Sequence, residues 1–211
     1  LNKEKRISIT PETVKKFISL NCSVYIEKEY GDHLGITDEE YKKNGATLYN
    51  SSKEVLEKSE LILKVNCPSS NEINFIKNKS ILIGQFDPLL DKEVLNSLIK
   101  REINIFSINL LPRITRAQSM DVLSSQANLA GYRAVIESVA EFGKAVPMMM
   151  TAAGTIIPAK ILVVGAGVAG LQAIATAKRL GGIVSATDVR AAAKEQVESL
   201  GCKFLSVDGA E

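Results

Sequence analysis

The sequence predicts an α/β protein of two doubly wound parallel-sheet domains joined by a long helix. Three observations carry that expectation. Apolar runs rich in β-branched residues alternate with helical segments through the first hundred residues, Ala117 to Phe142 keeps helical periodicity without a proline, and a strand, glycine turn, helix and strand follow in order over residues 161–190. Hydrophobic residues make up 45% of the 211, enough for a sizeable core and for one or two domains.

Thr10 has the position of an N-cap and Pro11 that of the first helical residue, opening a helix that runs to about Leu20. A strand is expected at Val24 to Ile26. Thr37 and Glu40 have capping-box spacing for a short helix ending near Asn44-Gly45, and a second helix covers Lys53 to Lys58. Leu61 to Val65, Ile81 to Gln85 and Ile103 to Ile108 read as strands of a parallel sheet buried on both faces, with a helix at Asp91 to Arg101 between the last two. These elements form an N-terminal α/β domain, residues 1–116.

From Ala117 onward Met120, Leu123, Ala127, Ala130, Ala134 and Val139 recur at helical spacing and the only glycine is Gly131, which predicts an interdomain helix over 117–143. In the remaining domain, 144–211, a turn-rich linker leads into ILVVGAGVAGLQAIATAKRLGGIVSATDVR. Gly165 allows the tight turn, Gly167 lets backbone amides approach a pyrophosphate, and Gly170 permits close packing of helix on strand. The phosphates of a dinucleotide would sit at the helix N-terminus, where unpaired amides and the helix dipole favour an anion. Asp188 closes the next strand roughly 20 residues on, in position to accept hydrogen bonds from an adenosine ribose and to repel a 2′-phosphate, so NAD(H) is expected over NADP(H). Arg190 acts against that preference if it pairs with a 2′-phosphate; a solvated loop position or a contact with adenine are its other readings. An αβ turn with incidental glycines is the plainer interpretation, and the order of elements weighs against it.

A third strand, Lys203 to Val207, completes only the first half of a nucleotide fold, so the second domain is expected to be a truncated Rossmann domain. The sequence opens at Leu1 in a charged loop, and an N-terminal strand is expected to be missing as well; the chain reads as a fragment or a truncated gene product.

Composition narrows the function. The 26 basic and 24 acidic residues leave a formal charge of +2 with no basic stripe, which points away from nucleic acid. Cys22, Cys67 and Cys202 are odd in number, far apart and without a CxxC pair, as expected of reduced, buried thiols in the cytosol. His33 is the only histidine, too few for a histidine-based metal site or a catalytic triad, and is assigned a loop role. The apolar stretch from Ala145 to Leu171 is broken by Pro147, Gly154 and Pro158, so no membrane span is predicted and a partner must supply any membrane.

A second polar cluster lies in LPRITRAQSMDVLSSQANLAGYRAV, residues 110–135. There Arg113, Arg116, Gln118, Asp121 and Ser124 occupy a loop entering the long helix. On a helix beginning near Ala117, Asp121 and Ser124 share a face and Gln118 lies three residues before Asp121. Arginine, amide and carboxylate together suit a nicotinamide carboxamide, a diphosphate and a ribose. An ordinary helix start with Asp and Ser at its positive end explains the same residues equally well.

Taken together, RISITPETVKK (6–16), RITRAQSMD, QANLAGYRAV, PAKILVVGAGVAGLQAIATAKRLG and KEQVESLG resemble, over nearly the whole chain, the NAD(H)-binding component, or α subunit, of proton-translocating NAD(P) transhydrogenase. The resemblance implies that Arg113, Gln118 and Asp121 orient the nicotinamide ring, with Ile114, Thr115, Arg116 and Ser124 beside the dinucleotide. It also implies that Val168, Asp188, Val189 and Arg190 line its adenosine side around Gly165, Gly167 and Gly170. The implied reaction is direct hydride transfer between NADH held here and NADP⁺ held by a partner component, coupled to proton movement through a membrane-spanning component. A homodimer, peripheral on the cytoplasmic side of the inner (plasma) membrane, is implied with it.

Alanine dehydrogenase is similar too, and Arg6 and Lys64 fall where that family has substrate-binding residues. Asp87 stands where that family has a catalytic histidine, so the acid-base group for amine oxidation is missing and no alanine-dependent NADH formation is expected. Arg6 and Lys64 are then expected to be structural ion-pair residues. A non-enzymatic NAD-binding module is a further reading, against which the Arg113, Gln118 and Asp121 cluster weighs.

Overall fold

A computed structural model describes residues 4–87 and 91–206, which divide into one compact unit ending at Met120 and another beginning at Asp121.

In the first unit, α1 (Pro11–Ser19) is capped by the Thr10 hydroxyl, which accepts the Thr13 amide. Strand β1 (Tyr25–Glu27) is followed by α2 (Asp38–Lys43), which carries the expected capping box: Thr37 accepts the Glu40 amide while Glu40 accepts that of Thr37 at 2.7 Å. The next strand, β2 (Thr47–Tyr49), pairs in parallel with β1, placing Leu48 opposite Ile26. Helix α3 (Ser52–Lys58), β3 (Leu61–Leu63), α4 (Ser70–Ile73), β4 (Ile81–Gly84), α5 (Lys92–Lys100) and β5 (Asn104–Ser107) complete the unit. The last three strands form a parallel sheet in the order β3-β4-β5. Leu56, Ile62, Ile73, Ile76, Leu82, Phe86, Leu98 and Ile103 make its core, and Val14, Ile26, Tyr41 and Ala46 make a smaller one.

The second unit opens with α6 (Val122–Phe142). The hairpin β6 (Met149–Thr151) and β7 (Gly154–Ile156) follows. Then β8 (Lys160–Val164), α7 (Val168–Arg179), β9 (Ile183–Thr187), α8 (Ala193–Ser199) and β10 (Lys203–Phe204) alternate. Their parallel sheet has the order β10-β9-β8, which is the 3-2-1 order of half a doubly wound nucleotide fold. Val207, the expected end of its last strand, lies outside the described residues. Helix α6 packs along α7 so closely that a Cβ on Gly131 would overlap the Ala169 carbonyl oxygen. Val135, Ile174, Ala177, Val184, Ala186 and Val197 lie in the core.

Four expectations need correction. The long helix begins at Val122, not near Ala117, because the Asp121 side chain caps it. Strand β2 and helix α4 have no counterpart among the expected elements. The segment read as a linker contains the β6–β7 hairpin, closed by Gly154 at φ +135° and by Thr151, whose hydroxyl donates to the Gly154 carbonyl. Of the cysteines only Cys202 is buried; Cys22 is exposed, and burial pushes the Cys67 thiol up to about 11. His33 donates to the Lys5 carbonyl from a short 3₁₀ turn. No helix among the described residues is long and apolar enough to cross a membrane.

Candidate functional site

The turn between β8 and α7 is built from its glycines. Gly165, at φ +95°, turns the chain, and its amide donates to the Thr187 carbonyl at 2.8 Å, tying the turn to the end of β9. A Cβ on Gly170 would overlap the Gly165 carbonyl oxygen, so only glycine lets the first turn of α7 sit this close. Gly167 precedes that helix without a capping side chain, and its own carbonyl takes the first intrahelical bond, from Leu171 at 2.8 Å. The helix therefore presents unpaired amides and the positive end of its dipole at the loop. Space beside Gly167 is open except for the Arg190 guanidinium, 4.0 Å from where a Cβ would stand.

Asp188 emerges from β9 directly beneath this loop. Its Oδ2 accepts the Ala166 amide at 2.6 Å, so the carboxylate pins the middle of the glycine turn. The Arg190 guanidinium, with the Arg190 and Ala166 amides behind it, holds the Asp188 carboxyl well below the usual range. The Asp188 side chain is 6% exposed and that of Arg190 is 62% exposed, so the carboxylate is enclosed by a cation that itself faces solvent. Arg190 thus has a partner in the chain, rather than lying loose in the solvent. Val168, at the start of α7, and Val189, next to Asp188 in the chain, are exposed apolar groups. Ala166 is not among the residues that sequence reasoning singles out; its place between two motif glycines is the available signal.

The second cluster divides at the unit boundary. Thr115–Met120 winds as a 3₁₀ helix anchored by buried Ala117, while Arg113, Ile114, Thr115, Arg116 and Gln118 are exposed. Asp121 and Ser124 are brought together: Oδ1 accepts the Ser124 amide at 2.9 Å and Oδ2 its hydroxyl at 2.7 Å. Gln118 lies before that helix, in the 3₁₀ segment.

Arg6 and Lys64 are both ion-paired. Arg6 grips Glu4 with Nε to Oε1 at 2.8 Å and Nη2 to Oε2 at 2.7 Å, and the Asn66 amide adds a bond to Oε2 at 3.1 Å. The Glu4 carboxyl is held at about 2 chiefly by that guanidinium. Lys64 pairs with Glu72, whose other oxygen accepts the Ser69 amide at 2.8 Å and hydroxyl at 2.9 Å. Burial raises the Glu72 carboxyl, but Lys64 and Ser69 outweigh it and the net displacement is downward. The Asp87 amide donates to Asp91 at 2.9 Å, and Pro88 to Leu90 lie outside the described residues.

Comparison with known proteins adds a lineage to this geometry. Residues 1–130 match the alanine dehydrogenase/PNT N-terminal domain, and residues 134–211 match the C-terminal domain of the same family. The chain is 51% identical over 210 residues to the first part of the NAD(P) transhydrogenase alpha subunit of Rhodospirillum rubrum, a match covering 97% of this chain and 55% of that protein. The crystal structure of transhydrogenase from Sinorhizobium meliloti superposes with a TM-score of 0.93 at 51% identity, over 99% of this chain and 60% of the other. Alanine dehydrogenase of Methanococcus maripaludis is 30% identical over 194 residues, 89% of this chain and 51% of that one. The chain thus spans little more than half the length of these relatives.

Proposed function

The chain belongs to the alanine dehydrogenase/PNT family, and from that premise we propose that it is the NAD(H)-binding component of a proton-translocating NAD(P) transhydrogenase. The observation that carries the reading is the glycine turn pinned to Asp188 at the uncapped start of α7, which fits a dinucleotide. The amides at the start of α7 receive the pyrophosphate, Asp188 accepts from the adenosine ribose, and Val168, Val189 and Arg190 flank the adenosine. Arg113, Gln118 and Asp121 orient the nicotinamide end, with Ile114, Thr115, Arg116 and Ser124 beside them.

Bound NADH supplies the hydride, which passes directly to NADP⁺ on a partner component while a membrane-spanning component moves the proton. The chain's own residues bind, orient and exclude water, which is catalysis by positioning and asks for no acid-base side chain. The assembly is a homodimer, peripheral on the cytoplasmic side of the membrane. The ion pairs at Arg6 and Lys64, with an aspartate at position 87, favour this reading over an alanine dehydrogenase.

Two measurements on Gln118→Ala test it: NADH affinity by fluorescence titration, and hydride transfer to NADP⁺ in the presence of the partner components. Transfer is expected to fall about tenfold or more while NADH affinity changes less than about twofold, the pattern of a group that acts on the reacting geometry. Equal losses in both would mean a binding module. A companion titration should give tighter binding of NADH than of NADPH.

A further inference from the structure

The loop that carries Arg113 and Gln118 starts at the carboxyl end of the first unit's sheet, where β4 and β5 finish side by side with Gly84 opposite Ser107. Position 84 needs glycine: a Cβ there would overlap the Lys64 carbonyl oxygen and crowd the Phe86 ring. That ring is 1% exposed in the core, so the Phe86 backbone is a fixed point just past the end of β4. Two side chains at the end of β5 fasten onto it. The Phe86 amide donates to both Ser107 Oγ and Asn109 Oδ1, each at 3.1 Å. The Ser107 hydroxyl lies 2.8 Å from the Phe86 carbonyl and 2.5 Å from Asn109 Oδ1. Its single proton is shared between those two acceptors, while Asn109 Oδ1 accepts from the serine and from the backbone beyond the neighbouring strand.

From Asn109 the chain has little freedom before it reaches Arg113. Ile108–Leu110 is a 3₁₀ turn, and Leu111 is extended at φ −60° and ψ 137°, as the following proline requires. Pro112 fixes its own φ, and its carbonyl accepts the Ile114 amide at 2.9 Å. Buried Ala117 is a second hold, and residues 112–116 between the two holds are exposed. We propose that Asn109 is a positioning residue for hydride transfer: its bond to Phe86 sets where the loop leaves the sheet, and so the direction in which Arg113 and Gln118 are presented. The inference rests on the role given to those two residues above and adds the residue through which the sheet holds them. Parallel sheets of this kind bind ligands outside the carboxyl ends of their strands, and a displacement of about 1 Å can cost about a hundredfold in rate. An asparagine that only closed the end of β5 would affect stability and leave the reacting geometry alone.

Variants of the intact chain, assayed with the partner components, test it. Asn109→Ala should lower kcat for hydride transfer about fivefold while NADH affinity stays within about twofold, and Asn109→Asp, which keeps an oxygen for both donors, should recover most of the rate. Ser107→Ala, which removes one of those donors, should give a smaller loss of the same kind. In a Gln118→Ala background, Asn109→Ala should cost less than about twofold more, because it acts through a residue already removed. Full additivity of the two, or an Asn109→Ala variant that loses stability but transfers hydride as wild type does, would overturn the inference and leave the transhydrogenase reading standing. Hydrogen exchange of the amides over 110–120 reads the hold without turnover: it should quicken in Asn109→Ala and not in Asn109→Asp. A wild type that passes no hydride would overturn the transhydrogenase reading, whereas unchanged exchange in Asn109→Ala would overturn the hold separately.

Discussion

Arg190 closes on both oxygens of Asp188: its Nε donates to Oδ1 and its Nη2 to Oδ2, each at 3.0 Å, and its own amide reaches Oδ1 at 2.8 Å. Held this way, Asp188 repels a 2′-phosphate less than a bare carboxylate does. Arg190→Gln should uncover the charge, weakening NADPH binding several-fold, as expected for a solvent-facing ion pair, with a smaller change for NADH. Paired fluorescence titrations check this, and unchanged or tighter NADPH binding would refute it.

Asp121 is the N-cap of α6, with Ser124 answering it at the third helical position. Asp121→Ala should cost about 1 kcal/mol of stability, the usual worth of such a cap. Ser124→Ala should cost less, since the Ser124 amide still reaches the aspartate. Urea unfolding of the two variants distinguishes them.

Gly131→Ala sets two effects against each other. Alanine gains about 1 kcal/mol in helix propensity over glycine. Its Cβ, however, would overlap the Ala169 carbonyl oxygen, and backbone cannot rotate out of the way. Overpacking costs about 1–3 kcal/mol, so a net loss is expected, read as a lower denaturation midpoint with little change in unfolding slope.

The Glu4 carboxyl lies at about 2 against an ordinary 4.5. A carboxylate lowered in the folded state stabilises fully above its unfolded value, and that contribution disappears as pH falls from about 4.5 to about 2. Glu4→Gln should therefore be less stable than wild type near neutrality and match it near pH 2. Because Arg6 is partly exposed, the difference should stay within about 1 kcal/mol. Denaturant unfolding across this pH range measures it.

Where side chains settle the backbone locally, the sequence is readable. Thr10 with Pro11, Thr37 with Glu40, and the glycines between β8 and α7 all lie as their types and spacing require. The start of α6 is harder to place because the apolar periodicity continues unbroken through Ala117 and Met120. The Asp121 cap, not periodicity, decides where the α-helix begins, and the residues before it tighten into 3₁₀ geometry around Ala117. The hairpin leaves little trace because Ala152-Ala153 is no recognised turn pair, and the Thr151 side chain does the closing. The two halves of the Asp188 contact are legible separately, as a strand-end carboxylate and a glycine turn. Their bond through Ala166 depends on how β8 and β9 register, which no local pattern encodes.

That bond constrains what descendants of this sequence can become. One carboxylate pins the glycine turn and, as proposed, selects the ribose. A lineage that replaces Asp188 to accept a phosphorylated nucleotide therefore also releases the Ala166 amide. The first step toward the new preference loosens the scaffold it needs, and another acceptor for that amide must be in place beforehand. The order of substitutions matters, and the shortest route, a single change at position 188, is the one the geometry closes.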